Sequence, residues 1–248
     1  MSKLLDNKVI FITGAGRGIG AAAARLFVAE GAQVMLAART ESELAAVAKE
    51  LDARYVVCDL ADPDAIHAAV DRTVAEYGRL DAAFNNGAVG QQPGPMDGLG
   101  RDEFDQVYAV NLRGVWSAIV AEVAAIRATS GHGSIVNTSS VGSFAGNPAL
   151  PAYGAMKRAV NSLTESAAIT YAPENIRVNA IAPGTTLTEM LQDWDRAQPG
   201  VIDALIAQAP IGRGADPAEV AEAAAWLLSD RASYVTGAVL RVDGGLGV

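Results

Sequence analysis

Residues 8–20 read KVIFITGAGRGIG, a short apolar run rich in β-branched side chains that ends in a cluster of glycines. The run Lys8–Thr13 lacks the apolar–polar alternation of a half-solvated strand, so it reads as a strand buried on both faces. Glycines follow at Gly14, Gly16, Gly18 and Gly20, and a helical pattern starts inside them and continues to about Glu30. A strand, a tight glycine turn and a helix in immediate succession open a parallel β–α–β unit.

The same rhythm runs outward along the chain. Gln33–Ala38 reads as the next strand, and Glu41–Leu51 as a helix with Leu44, Val47, Ala48 and Leu51 on one face. Tyr55–Cys58 is a third strand. Asp62 and Pro63 then open a helix striped by Ile66, Val70, Val74 and Tyr77, with the proline suited to the first turn. Asp81–Asn85 and Ser134–Thr138 supply the fourth and fifth strands, and one long helix is predicted between them over about 102–129. A helix over 152–171, a strand Arg177–Ile181, a helix Pro217–Leu228 and a last strand Val239–Val242 complete the pattern. These elements predict a single doubly wound, Rossmann-type α/β domain over residues 1–248. Its parallel sheet of about seven strands would carry helices on both faces. Residues 184–212, which include Trp194, break the rhythm and are expected to form a substrate lid at the carboxyl edge of the sheet.

Composition narrows the class. Half of the 248 residues are apolar, enough for a sizeable core and too many for disorder. No apolar run approaches the roughly 20 residues that span a bilayer, and no secretory signal is apparent. Cys58 is the sole cysteine, so no intrachain disulfide can form, and a reducing, cytoplasmic location is expected. His67 and His132 lie far apart without a cysteine at ligand spacing, so no metal site is expected. A net charge of −9 argues against nucleic acid and anionic membranes as partners.

The chemistry-bearing residues fall at the strand ends. Closely spaced glycines between a strand and a helix let backbone N–H groups approach a pyrophosphate at the helix N-terminus. Proteins that bind NAD usually place an acid at the end of the second strand to receive the ribose hydroxyls. Here that position is Ala38, followed by Arg39, with Arg17 inside the glycine turn. Two guanidiniums suit a 2′-phosphate, which points to NADP(H). Farther along, Tyr153 and Lys157 share a helical face at i, i+4. A nearby ammonium stabilises a phenolate and lowers a phenol pKa from about 10. Ser140, just past the fifth strand, can hold a substrate oxygen. Asn111 interrupts an apolar helical stripe of Phe104, Tyr108 and Val115, and a buried amide there must be hydrogen-bonded. Taken by itself, a helix-packing bond would explain it.

Together these segments resemble the short-chain dehydrogenase/reductase family. TGAGRGIG at 13–20 resembles its TGxxxGxG turn, and YGAMK at 153–157 its YxxxK motif. GSIVNTSSVG at 133–142 is similar to its serine segment, and VNLRG at 110–114 to the segment carrying its asparagine. The DL pair at 59–60, RVNAIAPG at 177–184 and VDGG at 242–245 extend the resemblance over almost the whole chain. The resemblance implies a catalytic set of Asn111, Ser140, Tyr153 and Lys157. Tyr153 would transfer the proton, Ser140 polarise the substrate oxygen, and Lys157 tune Tyr153 while binding the nicotinamide ribose. Asn111 would hold a water in a proton relay. The family's serine lies 13 residues before its tyrosine, which selects Ser140 over Ser139.

It also implies cofactor contacts from Gly14, Gly16, Arg17, Gly18, Ile19, Gly20, Arg39, Asp59, Leu60, Asn86, Tyr153, Lys157, Pro183, Gly184, Thr186 and Thr188. One segment departs: NNGA at 85–88 stands where the family reads NNAG, and the methyl of Ala88 is expected to cause a small rearrangement. The reaction implied is hydride transfer between NADP(H) and a carbonyl/alcohol pair, on a small-molecule substrate. Val141–Leu150, Val89–Pro95 and 184–212 would wall that substrate, with Phe144, Leu150, Met190, Leu191 and Trp194 making the pocket mostly apolar. The runner-up within the family is a 3-oxoacyl-(acyl-carrier-protein) reductase, disfavoured by Glu174 in the segment 172–175 and by the negative total charge. An idle dinucleotide sensor is a third reading, disfavoured because Tyr153 and Lys157 both stand. The resemblance further implies a homo-oligomer, tetramer or dimer.

Overall fold

The computed structural model describes residues 3–247. Seven strands form one parallel sheet: β1 (Val9–Thr13), β2 (Gln33–Ala38), β3 (Arg54–Val57), β4 (Ala82–Asn85), β5 (Gly133–Thr138), β6 (Ile176–Pro183) and β7 (Val239–Val242). Their order across the sheet is β3-β2-β1-β4-β5-β6-β7. The glycine turn follows β1, which is flanked by β2 on one side and β4 on the other. This is the point where the winding reverses, and a crevice opens there beyond the carboxyl ends of the strands.

Helices cover both faces. On one, α1 (Gly18–Ala29), α2 (Glu41–Leu51) and α9 (Pro217–Leu228) pack Phe27, Leu44, Val220 and Leu228 against Ile10, Ile12 and Phe84 of the sheet. On the other, α3 (Pro63–Tyr77), α5 (Val115–Ala128) and α6 (Pro151–Tyr171) bury Ile66, Ile119 and Val160 against Phe11, Ala83 and Ile135. Successive residues of β1 therefore serve opposite cores, which is why its sequence shows no alternation.

The long helix expected over about 102–129 is helical throughout but not uniform. A regular segment, α4 (Arg101–Tyr108), and α5 are joined by a π-helical turn at Ala109–Gly114. The extra residue in that turn shifts the helical register. Phe104 and Tyr108, expected on the apolar stripe with Asn111 and Val115, are exposed, and Val107 takes the buried position. By length and composition this helical run is apolar enough to cross a bilayer, contrary to the expectation from apolar runs. Yet 67% of its most apolar window is buried in the fold, as in the core helix of a globular domain.

Residues 184–212 are not an irregular connection. They carry two short helices, α7 (Glu189–Ala197) and α8 (Val201–Ile206), on the crevice side.

Candidate active site

A cavity of about 1200 Å³ runs along the carboxyl edge of the sheet, from the glycine turn to α7 and α8. At its near end, Gly14 adopts φ +66°, a left-handed conformation. A Cβ added at Gly20 would lie 2.0 Å from the Gly14 carbonyl oxygen, and one at Gly14 would lie 2.6 Å from Gly87 Cα. The turn is therefore drawn in against the loop after β4. Helix α1 starts at Gly18 with no capping side chain and no acidic residue in its first turn, so its opening N–H groups remain available to an anion. A cradle that cannot admit a methyl group, beside a free helix N-terminus, fits the diphosphate of a dinucleotide. The close approach expected of the NNGA loop is made by Gly87 itself, whose N–H also donates to Thr13 Oγ1 at 3.1 Å. Ala88 simply lines the cavity.

The other expected cofactor residues spread along this cavity. Gly16, Ile19 and Leu60 line it. Arg17 and Arg39, both exposed, stand at the end of β2, together with Glu43, whose Oε1 is 3.9 Å from Arg17 Nη1. Asp59 lines the same end and accepts from the Ala61 N–H through Oδ1. Asn86 lies under the glycine turn, its amide donating to the Gly14 carbonyl at 3.4 Å. Pro183 ends β6 and Gly184 follows it, both lining the cavity. Thr188 packs against Gly18, whereas the buried Thr186 donates its hydroxyl to the Gly184 carbonyl at 3.2 Å.

Ser140, Tyr153 and Lys157 meet in the middle of the cavity. Ser140 lies just past β5 in extended backbone, and its Oγ accepts from the Gly142 N–H at 3.1 Å, which leaves its proton to donate. Its neighbour Ser139 is buried and donates to Asn161 Oδ1 at 2.5 Å. Helix α6 presents Tyr153 and Lys157 on one face, with Lys157 Nζ 5.6 Å from the Tyr153 ring centre. Lys157 is wholly buried and donates to the Thr138 carbonyl at 2.7 Å. Burial pushes the Tyr153 hydroxyl up to about 12, against a hydrogen bond with Ser140 that pulls it down. Burial also brings the Lys157 ammonium down to about 8. Ser140, not Lys157, is the group that pulls Tyr153 down here, and desolvation, which favours the neutral form of both Tyr153 and Lys157, exceeds that pull.

Asn111 lies in the π-helical turn, fully buried. Its Oδ1 accepts from the Val89 N–H at 2.9 Å, and its Nδ2 donates to the Val89 carbonyl at 2.8 Å. The side chain therefore anchors the loop after β4, with one Nδ2 hydrogen and one Oδ1 lone pair left over beyond these two bonds. Sequence reading missed two further groups: the Thr138 carbonyl, which every residue type would offer equally, and Gln91, whose Oε1 receives the Tyr153 N–H at 3.0 Å.

Comparison with known proteins agrees with this geometry. The family described as enoyl-(acyl carrier protein) reductase matches residues 14–247. The A-factor type gamma-butyrolactone 1'-reductase (1S-forming) of Streptomyces virginiae is 45% identical over 247 residues, spanning 98% of this chain and 96% of that one. The chain belongs to the short-chain dehydrogenase/reductase family. Another member, the 2,5-dichloro-2,5-cyclohexadiene-1,4-diol dehydrogenase of Sphingobium indicum, is 40% identical over 243 residues, 97% of each chain. The crystal structure of 3-ketoacyl-(acyl-carrier-protein) reductase from Brucella melitensis complexed with NADH superposes with a TM-score of 0.93 at 34% identity, covering 98% of this chain and all of that one. As a short-chain dehydrogenase/reductase, the protein is an oxidoreductase that interconverts alcohols and carbonyl compounds with a nicotinamide dinucleotide.

Proposed function

We propose that this enzyme reduces a small, largely apolar, cyclic ketone to its alcohol with NADPH, and that Ser140, Tyr153 and Lys157 carry the proton chemistry. The convergence of these three side chains on the cavity that begins at the glycine turn carries the proposal. A nicotinamide dinucleotide held along the glycine turn and Lys157 would supply or accept the hydride. Ser140 has one lone pair engaged by Gly142, so its hydroxyl donates to the substrate oxygen and polarises the carbonyl. Tyr153, held neutral by burial, gives its proton to that oxygen as negative charge develops. Lys157, fixed on the Thr138 carbonyl, faces the same space, where its ammonium can bind ribose hydroxyls. Asn111 positions the loop that closes the cavity beneath them. Residues 184–212 act as the lid, with Leu191 and Trp194 turned to the substrate. The relatives support a ring substrate: one is named for a lactone, the other for a cyclohexadienediol.

The preference for NADP(H) rests on Arg17 and Arg39 and on the absence of an acid at Ala38. Glu43 is the opposing group, close enough to draw Arg17 aside. Fluorescence titration decides the matter. NADPH should bind at least about tenfold more tightly than NADH, and Arg39→Ala should erase most of the difference, because a paired guanidinium–phosphate contact is worth roughly a factor of ten or more. Equal affinity for the two nucleotides in the wild type contradicts the assignment.

The Brucella likeness favours a second reading, an acyl-carrier-protein reductase. Against it, the Arg127 guanidinium is gripped by both oxygens of Glu174, at 2.6 and 2.8 Å, which neutralises the cation that segment could offer an acidic carrier. Faster turnover of carrier thioesters than of every free ketone would reverse the order. We also propose a cytoplasmic homo-oligomer, in keeping with the single thiol of Cys58 and the exposed apolar residues of α5 and α6.

A further inference from the structure

Helix α6 opens at Pro151 after Leu150, a residue that offers no side-chain acceptor to the helix's first N–H groups. One of them is met from elsewhere in the chain. The N–H of Tyr153 donates to Gln91 Oε1 at 3.0 Å, across 62 residues of sequence. A backbone N–H can be received only by the oxygen of an amide, so this contact fixes which end of Gln91 faces the helix. The other end, Nε2, is buried and has no protein partner. The indole Nε1 of Trp194, on α7, is in the same condition. Both residues line the cavity that contains Ser140 and Tyr153.

Buried polar groups are nearly always partnered, and two unpartnered donors on residues that line one cavity ask for acceptors that a ligand brings. We infer that Gln91 Nε2 and Trp194 Nε1 receive a second, uncharged oxygen of the substrate, apart from the carbonyl that is reduced. The substrate class is thus a cyclic ketone bearing another ring carbonyl or a lactone carbonyl. A carboxylate is disfavoured, because Glu103, which accepts from the Gln92 N–H, and Asp193, next to Trp194 in the chain, line the same cavity. The nearby Arg241 is engaged with the Phe144 ring, 4.0 Å from its centre, and with the Gly247 carbonyl. Gln91 thereby joins recognition to chemistry: its oxygen seats the helix turn that carries Tyr153, while its nitrogen reads the far end of the substrate.

This inference rests on the ketone-reductase reading, and the test separates the two. Steady-state reduction of cyclohexanone and of cyclohexane-1,4-dione is compared in the wild type, Gln91→Glu and Gln91→Ala. Gln91→Glu keeps an oxygen for the Tyr153 N–H and replaces the donor by an acceptor. It should cut kcat/KM for the dione about tenfold more than for cyclohexanone, as loss of a substrate-reading hydrogen bond does. Gln91→Ala, which also loses the cap, should slow both substrates. Trp194→Phe keeps the ring and removes the N–H, and should repeat the selective loss on the dione, so the test stands even if Gln91→Glu fails to fold. Equal losses on both ketones in the folded Gln91→Glu and Trp194→Phe variants overturn the inference alone. A wild type that reduces no ketone with either nucleotide overturns the reductase reading, and the inference with it.

Discussion

Tyr153 and Lys157 sit in one desolvated pocket, and their ionisation decides the pH behaviour of the enzyme. Tyr153 is held up at about 12, so its proton is present throughout the neutral range, which suits reduction. Lys157 is brought down to about 8 by burial, so its ammonium prevails below that pH and is lost above it. If the charged form is what binds, kcat/KM for ketone reduction should be flat in the acid range and fall as pH rises through about 8. A stopped-flow pH series checks this, and a profile flat to pH 10 on the roughly 10.4 scale of a free lysine would show that burial does not control the group. At this scale much could be read from the chain alone. The tyrosine, lysine and serine announce themselves through spacing within one helix and one strand end. Gln91 could not be read, because its partner is a main-chain N–H 62 residues away. The anchoring contacts of the Asn111 side chain were hidden for a related reason: its two partners are backbone groups of Val89, invisible in the sequence.

Elements bring a different set of groups together. On α5, Glu122 is fully buried, with Oε2 accepting from Asn85 Nδ2 at 3.0 Å. Asn85 also donates to Asn137 Oδ1, and Asn137 to Thr164 Oγ1 of α6, each at 3.0 Å, so one polar chain ties α5, β4, β5 and α6 beneath the site. Burial raises the Glu122 carboxyl from its usual value to about 8. Between roughly pH 4.5 and 8, then, the unfolded chain is ionised at this residue while the folded chain keeps the proton. This contribution to stability is full below the unfolded pKa and declines as pH rises through that window. Thermal unfolding should therefore show Tm falling from pH 5 to pH 8 more steeply in the wild type than in Glu122→Gln. Parallel curves for the two proteins would place the charge elsewhere. In the glycine turn, Gly20→Ala should weaken dinucleotide binding by more than tenfold and lower Tm, because its methyl has backbone 2.0 Å away. Calorimetric titration beside a melting curve reads both. Strands, helices and their order were legible because a parallel sheet needs uninterrupted apolar strands, each followed by a helix. The π-helical turn was not, since one inserted residue leaves no mark on composition, and the faces assigned to Phe104 and Tyr108 were displaced with it.

For the whole molecule, the surface carries apolar side chains that a free monomer would leave in water. Trp116 and Val120 of α5 and Ile169 of α6, on helices covering the same face of the sheet, are 58%, 40% and 79% exposed. Exposed apolar groups of this size commonly mark an interface. Light scattering should return the mass of a dimer or tetramer, and Trp116→Glu with Ile169→Glu should shift it toward the monomer. A monomeric wild type at working concentration would contradict the assembly. The carboxyl edge of the sheet collects everything else: the glycine turn after β1, the loop after β4, the serine just past β5 and the two helices after β6. The central claim is that this edge is a ketone-reducing site run by Tyr153. Its most direct measure is NADPH consumption over a panel of cyclic ketones, wild type against Tyr153→Phe, with nucleotide binding measured in both. The wild type should reduce members of the panel, and Tyr153→Phe should still bind NADPH while losing roughly a hundred- to ten-thousandfold in rate. A Tyr153→Phe variant that reduces the same ketones at the wild-type rate would contradict the account.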